Sequence, residues 1–117
     1  MHSERFLDHF QNPRNVGELP PPAVTVEIHN PACGDILHLS VLWENGRVAQ
    51  ARYKVRGCTA SIAAGSALTA WLPGRTPADL RALTEDSLAS LTGGLAPASR
   101  HAATLCLDAA RKAAAAS

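Results

Sequence analysis

Six consecutive residues, Asn30-Pro31-Ala32-Cys33-Gly34-Asp35, put a thiol and a carboxylate two positions apart with a glycine between them. Pro31 stiffens the approach, and Gly34 lets the backbone turn where a Cβ would strain it. Strand-like sequence follows at once, so Cys33 and Asp35 are placed at the lip of a sheet, where two metal-ligand groups can be held in fixed relation. A second small-residue corner, Gly57-Cys58, ends another strand and precedes a helix. Helix N-termini carry positive partial charge and unpaired N–H groups that favour a thiolate, the form that binds metal or attacks sulfur. His101 falls in the first turn of the last helix, where a neutral imidazole can ligate a metal through either nitrogen. For each of these residues a plainer reading stays open. Free cysteine also packs as a small hydrophobe, and a first-turn histidine is commonly solvated. Cys106, between Leu105 and Leu107, reads as core. The other four histidines show no ligand-like spacing: His2 and His9 read as surface residues of the first helix, and His29 and His38 lie on strands.

The elements that must position these groups follow from periodicity. Ser3–Gln11 reads as a short helix with Ser3 as N-cap and Phe6, Leu7 and Phe10 on one side, and Asn12-Pro13 ends it. A loop with Pro20, Pro21 and Pro22 follows. Ala23–His29 alternates with Val24, Val26 and Ile28 on one face. Asp35–Glu44 alternates with Leu37, Leu39, Val41 and Trp43 inward. Asn45-Gly46 is a two-residue hairpin signal. Arg47–Arg56 returns with Ala49, Ala51, Tyr53 and Val55 inward and Gln50, Arg52 and Lys54 outward. Thr59–Leu72 reads as a helix of small residues suited to close packing on the sheet, stopped by Pro73-Gly74. Thr76 and Pro77 open a short helix to Leu83, Thr84 caps another over about Glu85–Leu91, and Gly93-Gly94 breaks it. Pro97 or Ser99 opens a last helix to about Ala115. Strands first and helices after predict an α+β fold: a three-stranded antiparallel sheet with helices packed on one face, in one domain over residues 1–117.

Bulk properties narrow the function. A formal net charge of +1 gives no electrostatic case for nucleic acid or an anionic membrane. Aromatic residues are 4% of the chain, which argues against base stacking. No apolar run reaches the ~18 residues of a spanning helix, and the N-terminus lacks a charged-then-apolar signal pattern. A cytoplasmic protein is expected. Its three cysteines then argue for metal binding or thiol chemistry rather than a disulfide framework.

Taken together, the motifs resemble the IscU type of iron–sulfur cluster assembly scaffold, also found as the N-terminal domain of NifU. The resemblance covers nearly the whole chain. It runs through Asp8-His9-Phe10-Gln11-Asn12-Pro13-Arg14-Asn15-Val16-Gly17, through Asn30–Asp35, through Tyr53–Ala63 around Gly57-Cys58, and into the last helix at His101, Leu105, Asp108 and Ala109. The spacing from Cys58 to His101 is close to that of IscU and lacks the longer insertion of the SufU branch. The resemblance implies a non-enzymatic scaffold that takes sulfur from a cysteine desulfurase and passes a [2Fe–2S] cluster, or iron, to apo iron–sulfur protein acceptors. It implies a site of Cys33, Asp35, Cys58 and His101, a donor set that also suits tetrahedral zinc.

Two positions depart from the family. Its third cysteine, which follows the histidine and is implicated in receiving persulfide sulfur, is Ala102 here. Cys106 is four residues later, ~6 Å along the helix axis, and substitutes only if the helix slides by about one turn. A cysteine placed at position 102 is expected to be accessible. The family's chaperone-docking stretch reads Leu95-Ala96-Pro97-Ala98-Ser99, so chaperone docking is not carried over. Two alternatives stay open beside the scaffold: a SufU-like zinc-bound sulfur-transfer partner of a desulfurase, and a diverged paralogue that binds metal or a protein without building clusters.

Overall fold

The computed structural model describes residues 3–31 and 34–117. Its elements follow the expected order: α1 (Glu4–Gln11), β1 (Val24–Asn30), β2 (Asp35–Glu44), β3 (Arg47–Arg56), α2 (Thr59–Trp71), α3 (Pro77–Ala82), α4 (Glu85–Leu91), a 3₁₀ turn (Pro97–Ser99) and α5 (Arg100–Ala115). The helix starts are set by local chemistry. Ser3 Oγ accepts from the Phe6 N–H at 3.1 Å, and Thr76 forms a reciprocal capping box with Asp79, as Thr84 does with Ser87.

The strands form one antiparallel sheet in the order β1-β2-β3. Val26, Leu37, Leu39, Val41, Ala51 and Tyr53 line its inner face, against which α2 and α5 pack. The sheet and α1, α4 and α5 all contact α2, so a helix without a polar stripe suits the position. Its small side chains permit the approach. A Cβ on Gly65 would meet the Tyr53 ring at 2.5 Å.

Two features depart from the simple alternation. Leu42 pairs with Gln50 but Trp43 pairs with Val48, leaving Ala49 as an extra residue on β3. This bulge shifts the phase, so Val48 is buried and Ala49, expected inward, is only half-buried. Along the outer edge of β3, a segment of the N-terminal loop acts as a partial fourth strand. Tyr53 N–H donates to the Asn15 carbonyl at 2.9 Å and Gly17 N–H to the Tyr53 carbonyl at 2.8 Å, with Val16 bridging in parallel. That covers an otherwise open edge. No helix among the described residues is long and apolar enough to cross a membrane.

Candidate metal centre

Three element ends converge at one pole of the sheet. Asp35 is the first residue of β2 and shares the inward parity of Leu37 and Leu39, so its carboxylate is turned toward the helices and is 4% exposed. Cys58 is the N-cap of α2, exposed, and makes no capping hydrogen bond through its side chain. His101 is the second residue of α5, whose start is tied to α4 by the Arg100–Asp86 ion pair at 2.9 Å.

Their donor atoms are close. Cys58 Sγ lies 3.3 Å from His101 Nε2 and 3.6 Å from Asp35 Oδ2, and His101 Nε2 lies 3.7 Å from Asp35 Oδ2. Tetrahedral bonds of ~2.1–2.3 Å separate neighbouring ligand atoms by ~3.4–3.8 Å. Two of the three contacts fall in that range and the Cys58–His101 one, at 3.3 Å, lies just under it, so the three approximate three edges of such a tetrahedron. The two contacts of Cys58 Sγ are also within reach of sulfur hydrogen bonds, while His101 Nε2–Asp35 Oδ2 is too long for a nitrogen–oxygen one. Sulfur, imidazole and carboxylate together suit zinc and iron better than magnesium or calcium.

A residue absent from the sequence-derived site supports it. Ser61 Oγ is fully buried and donates a short hydrogen bond to Asp35 Oδ2, and it lies 3.5 Å from Cys58 Sγ. A serine three residues after the N-cap, in the first turn of α2, lies under the cap, which is the one local signal that marks it. Gly57 is explained by the same carboxylate. The register pairs Ile36 with Arg56, so Gly57 stands opposite Asp35, and a Cβ there would meet Asp35 Cγ at 2.5 Å and both oxygens within 2.8 Å.

Of the four sequence-derived site residues, Asp35, Cys58 and His101 are brought together, their donor atoms all within 4.8 Å of one another. Cys33 lies outside the described residues. Ala102 and Cys106 are each 0% exposed, on the core side of α5. Burial pushes the Cys106 thiol up to about 12. The expectation that a cysteine at position 102 would be accessible is therefore corrected: α5 turns His101 toward the pole and the next residue into the core. The alternative of a slipped helix fails on the same geometry, because His101, not Cys106, meets Cys58. His9 also differs from its surface reading. It is half-buried, with Nδ1 2.7 Å from Ser66 Oγ, and burial, followed by the Arg14 charge, lowers its pKa.

Residues 1–116 match the family described as NifU-like N terminal domain. The chain is 34% identical over 113 residues to iron-sulfur cluster assembly scaffold protein IscU 1 of Archaeoglobus fulgidus, covering 97% of this chain and 74% of that protein. It is 35% identical over 112 residues to iron-sulfur cluster assembly scaffold protein IscU of Azotobacter vinelandii, covering 92% and 87%. The crystal structure of a nitrogen-fixing NifU-like protein (N-terminal) from Brucella abortus superposes with a TM-score of 0.74 at 24% identity, covering 95% of this chain and 90% of that one. This last likeness bears on the fold alone.

Proposed function

The chain belongs to the NifU-like N-terminal domain family, and on that premise we propose that it is a scaffold for iron–sulfur cluster assembly, without catalytic turnover of its own. The observation that carries this reading is the set of three donor atoms at tetrahedral separations, presented at one pole with one thiol exposed. In this reading Cys33 joins Asp35, Cys58 and His101 as the fourth ligand, and the cargo is a [2Fe–2S] cluster or iron. The cluster is built with sulfur from a cysteine desulfurase and passed to apo-protein acceptors. Asp35 is the exchangeable ligand, because a carboxylate is harder than the thiolates beside it. With Ala102 and Cys106 buried, sulfur reaches the site through Cys33 or Cys58 rather than through a thiol on α5.

Anaerobic reconstitution with iron, sulfide and a reductant tests the reading. The expected product carries iron and acid-labile sulfide in equal amounts, and loses both in Cys58→Ala. The same donor set suits zinc, which is the specific support for the second reading, a zinc-bound sulfur-transfer partner. Protein that retains zinc, takes up no sulfide, and acquires a persulfide on Cys33 or Cys58 from a desulfurase would replace the first reading with the second.

A further inference from the structure

The outer face of the sheet carries a second cluster of ligand-type side chains. Glu27 and His29 are two residues apart on β1 and so share one face. The register places His38 of β2 directly opposite Glu27. All three side chains turn away from the core, and their contacts are mutual: His29 Nε2 is 2.6 Å from Glu27 Oε2, and His38 Nε2 is 2.5 Å from Glu27 Oε1. One carboxylate thus gathers two imidazoles by the same nitrogen of each ring. The hydrogen bonds from His29 and then His38 hold the Glu27 carboxyl below the usual carboxylate range, so it is ionised at neutral pH.

We propose that Glu27, His29 and His38 form a separate binding site for a divalent transition ion of the zinc class, on the open face of the sheet. Two imidazoles and one carboxylate are a zinc-type donor set, and the remaining coordination position is left to water. Magnesium and calcium, which take oxygen ligands, do not fit it. The contacts are hydrogen bonds now: the N–O separations must open by under ~1 Å to reach the ~3.4 Å between ligands of one ion, and the two rings, each on its own carboxylate oxygen and with nitrogens not within the 4.8 Å that the donors at the pole keep, must swing toward one another. All three side chains are more than a third exposed, which leaves them room to adjust. In a neutral ring that donates from Nε2, loading moves the ring proton to Nδ1, freeing the Nε2 lone pair for the metal with no net proton lost. Lys54, opposite His38 on β3, is the nearest cation on this face by register, and Lys112 reaches the Glu27 carbonyl at 3.4 Å. Their charges keep the site weaker than a neutral-walled one.

The site is read independently of the pole by titrating Zn²⁺ into the full chain carrying Cys33→Ser and Cys58→Ser. One Zn²⁺ per chain is expected to remain. His29→Ala or His38→Ala in that background should weaken it roughly tenfold or more, since losing a ligand costs at least as much as losing a ligand's hydrogen-bond partner. Ring-nitrogen NMR should show Nε2 of His29 and His38 shifting on zinc addition, with Mg²⁺ producing no change. The substitutions are on exposed side chains, so circular dichroism should report an unchanged fold. No zinc bound in the double-serine background would overturn the proposal. So would zinc binding that neither histidine substitution alters, or ring shifts confined to His9 and His101.

Discussion

The pole and the outer sheet face hold donor sets of similar chemistry built in opposite ways. At the pole, Asp35, Cys58 and His101 come from three element ends that are 23 and 43 residues apart in sequence. Their geometry is enforced by buried neighbours, with Ser61 under the carboxylate and no Cβ on Gly57. On the face, Glu27, His29 and His38 sit within strands, each more than a third exposed, and hold one another. The pole presents separations already near those of one ion's ligands, while the face presents a hydrogen-bonded set that must rearrange around one. Burial fixes donors at the cost of tolerance to change. Exposure leaves them adaptable and weak.

The sharpest way to break the comparison is Gly57→Ala. The new methyl overlaps a buried carboxylate, so the carboxylate or strand end must shift. A destabilisation of about 1–3 kcal/mol is expected from such overpacking, together with loss of iron and sulfide at the pole. Zinc binding at Glu27, His29 and His38 should be unchanged. Denaturant unfolding and metal analysis check both halves. An alanine variant that loads the pole normally would mean the close approach does not matter.

Next in size is the contrast between the two described thiols. Cys58→Ala should abolish most iron and sulfide binding at the pole with little loss of stability, and Cys106→Ala should do the reverse, costing about 1 kcal/mol through a small core cavity. The native thiols should differ likewise toward an alkylating reagent. Cys58 is expected to react in the folded protein, whereas Cys106, buried and raised to about 12, reacts only on unfolding. Equal metal loss in the two variants would undo the assignment of the pole.

Smaller effects separate the ligand from its support. Asp35→Ala should slow release of a loaded cluster to an apo-acceptor, because the exchangeable ligand is gone. Ser61→Ala leaves the ligand but removes one of its buried hydrogen-bond donors, which costs about 1 kcal/mol. It should change the release rate in the direction of looser ligation, and Ser61→Thr should restore it. Matching release rates in Ser61→Ala and the parent would reduce Ser61 to packing.

The smallest effect is a background that both histidine-bearing sites must be read against. His9 has a folded pKa below 6.5, so the folded chain binds fewer protons than the unfolded chain as pH falls past that value. Stability from this group is present above 6.5 and is lost as pH drops through the folded pKa. His9→Gln should flatten the fall in urea midpoint between about pH 7 and pH 5. An unchanged slope would place the pH response elsewhere.

Local rules were enough for much of this molecule. Alternation in Asp35–Glu44, the Asn45-Gly46 turn, and the Thr76 cap are each decided by residues within a few positions, and the structure has them where the sequence predicts. Asp35, Cys58 and His101 were legible because each sits at an element end beside a small residue or a helix start, and because the motifs around them resemble a known family. What the sequence could not decide depends on partners far along the chain. The bulge at Ala49 is set by how β3 pairs with β2, so it reverses an inward assignment that alternation supports. The burial of Ala102 follows from the rotation of α5 against the core, which a helix's own periodicity leaves open near its start. Ser61 becomes a partner of Asp35 only when α2 docks over the sheet. The joining of His38 to Glu27 and His29 is a matter of register: 11 residues separate His38 from Glu27 in sequence, and pairing alone puts them face to face. Sequence determines which side chains have the chemistry, and tertiary structure decides which of them meet, because meeting requires backbone segments with no local relation to be packed together.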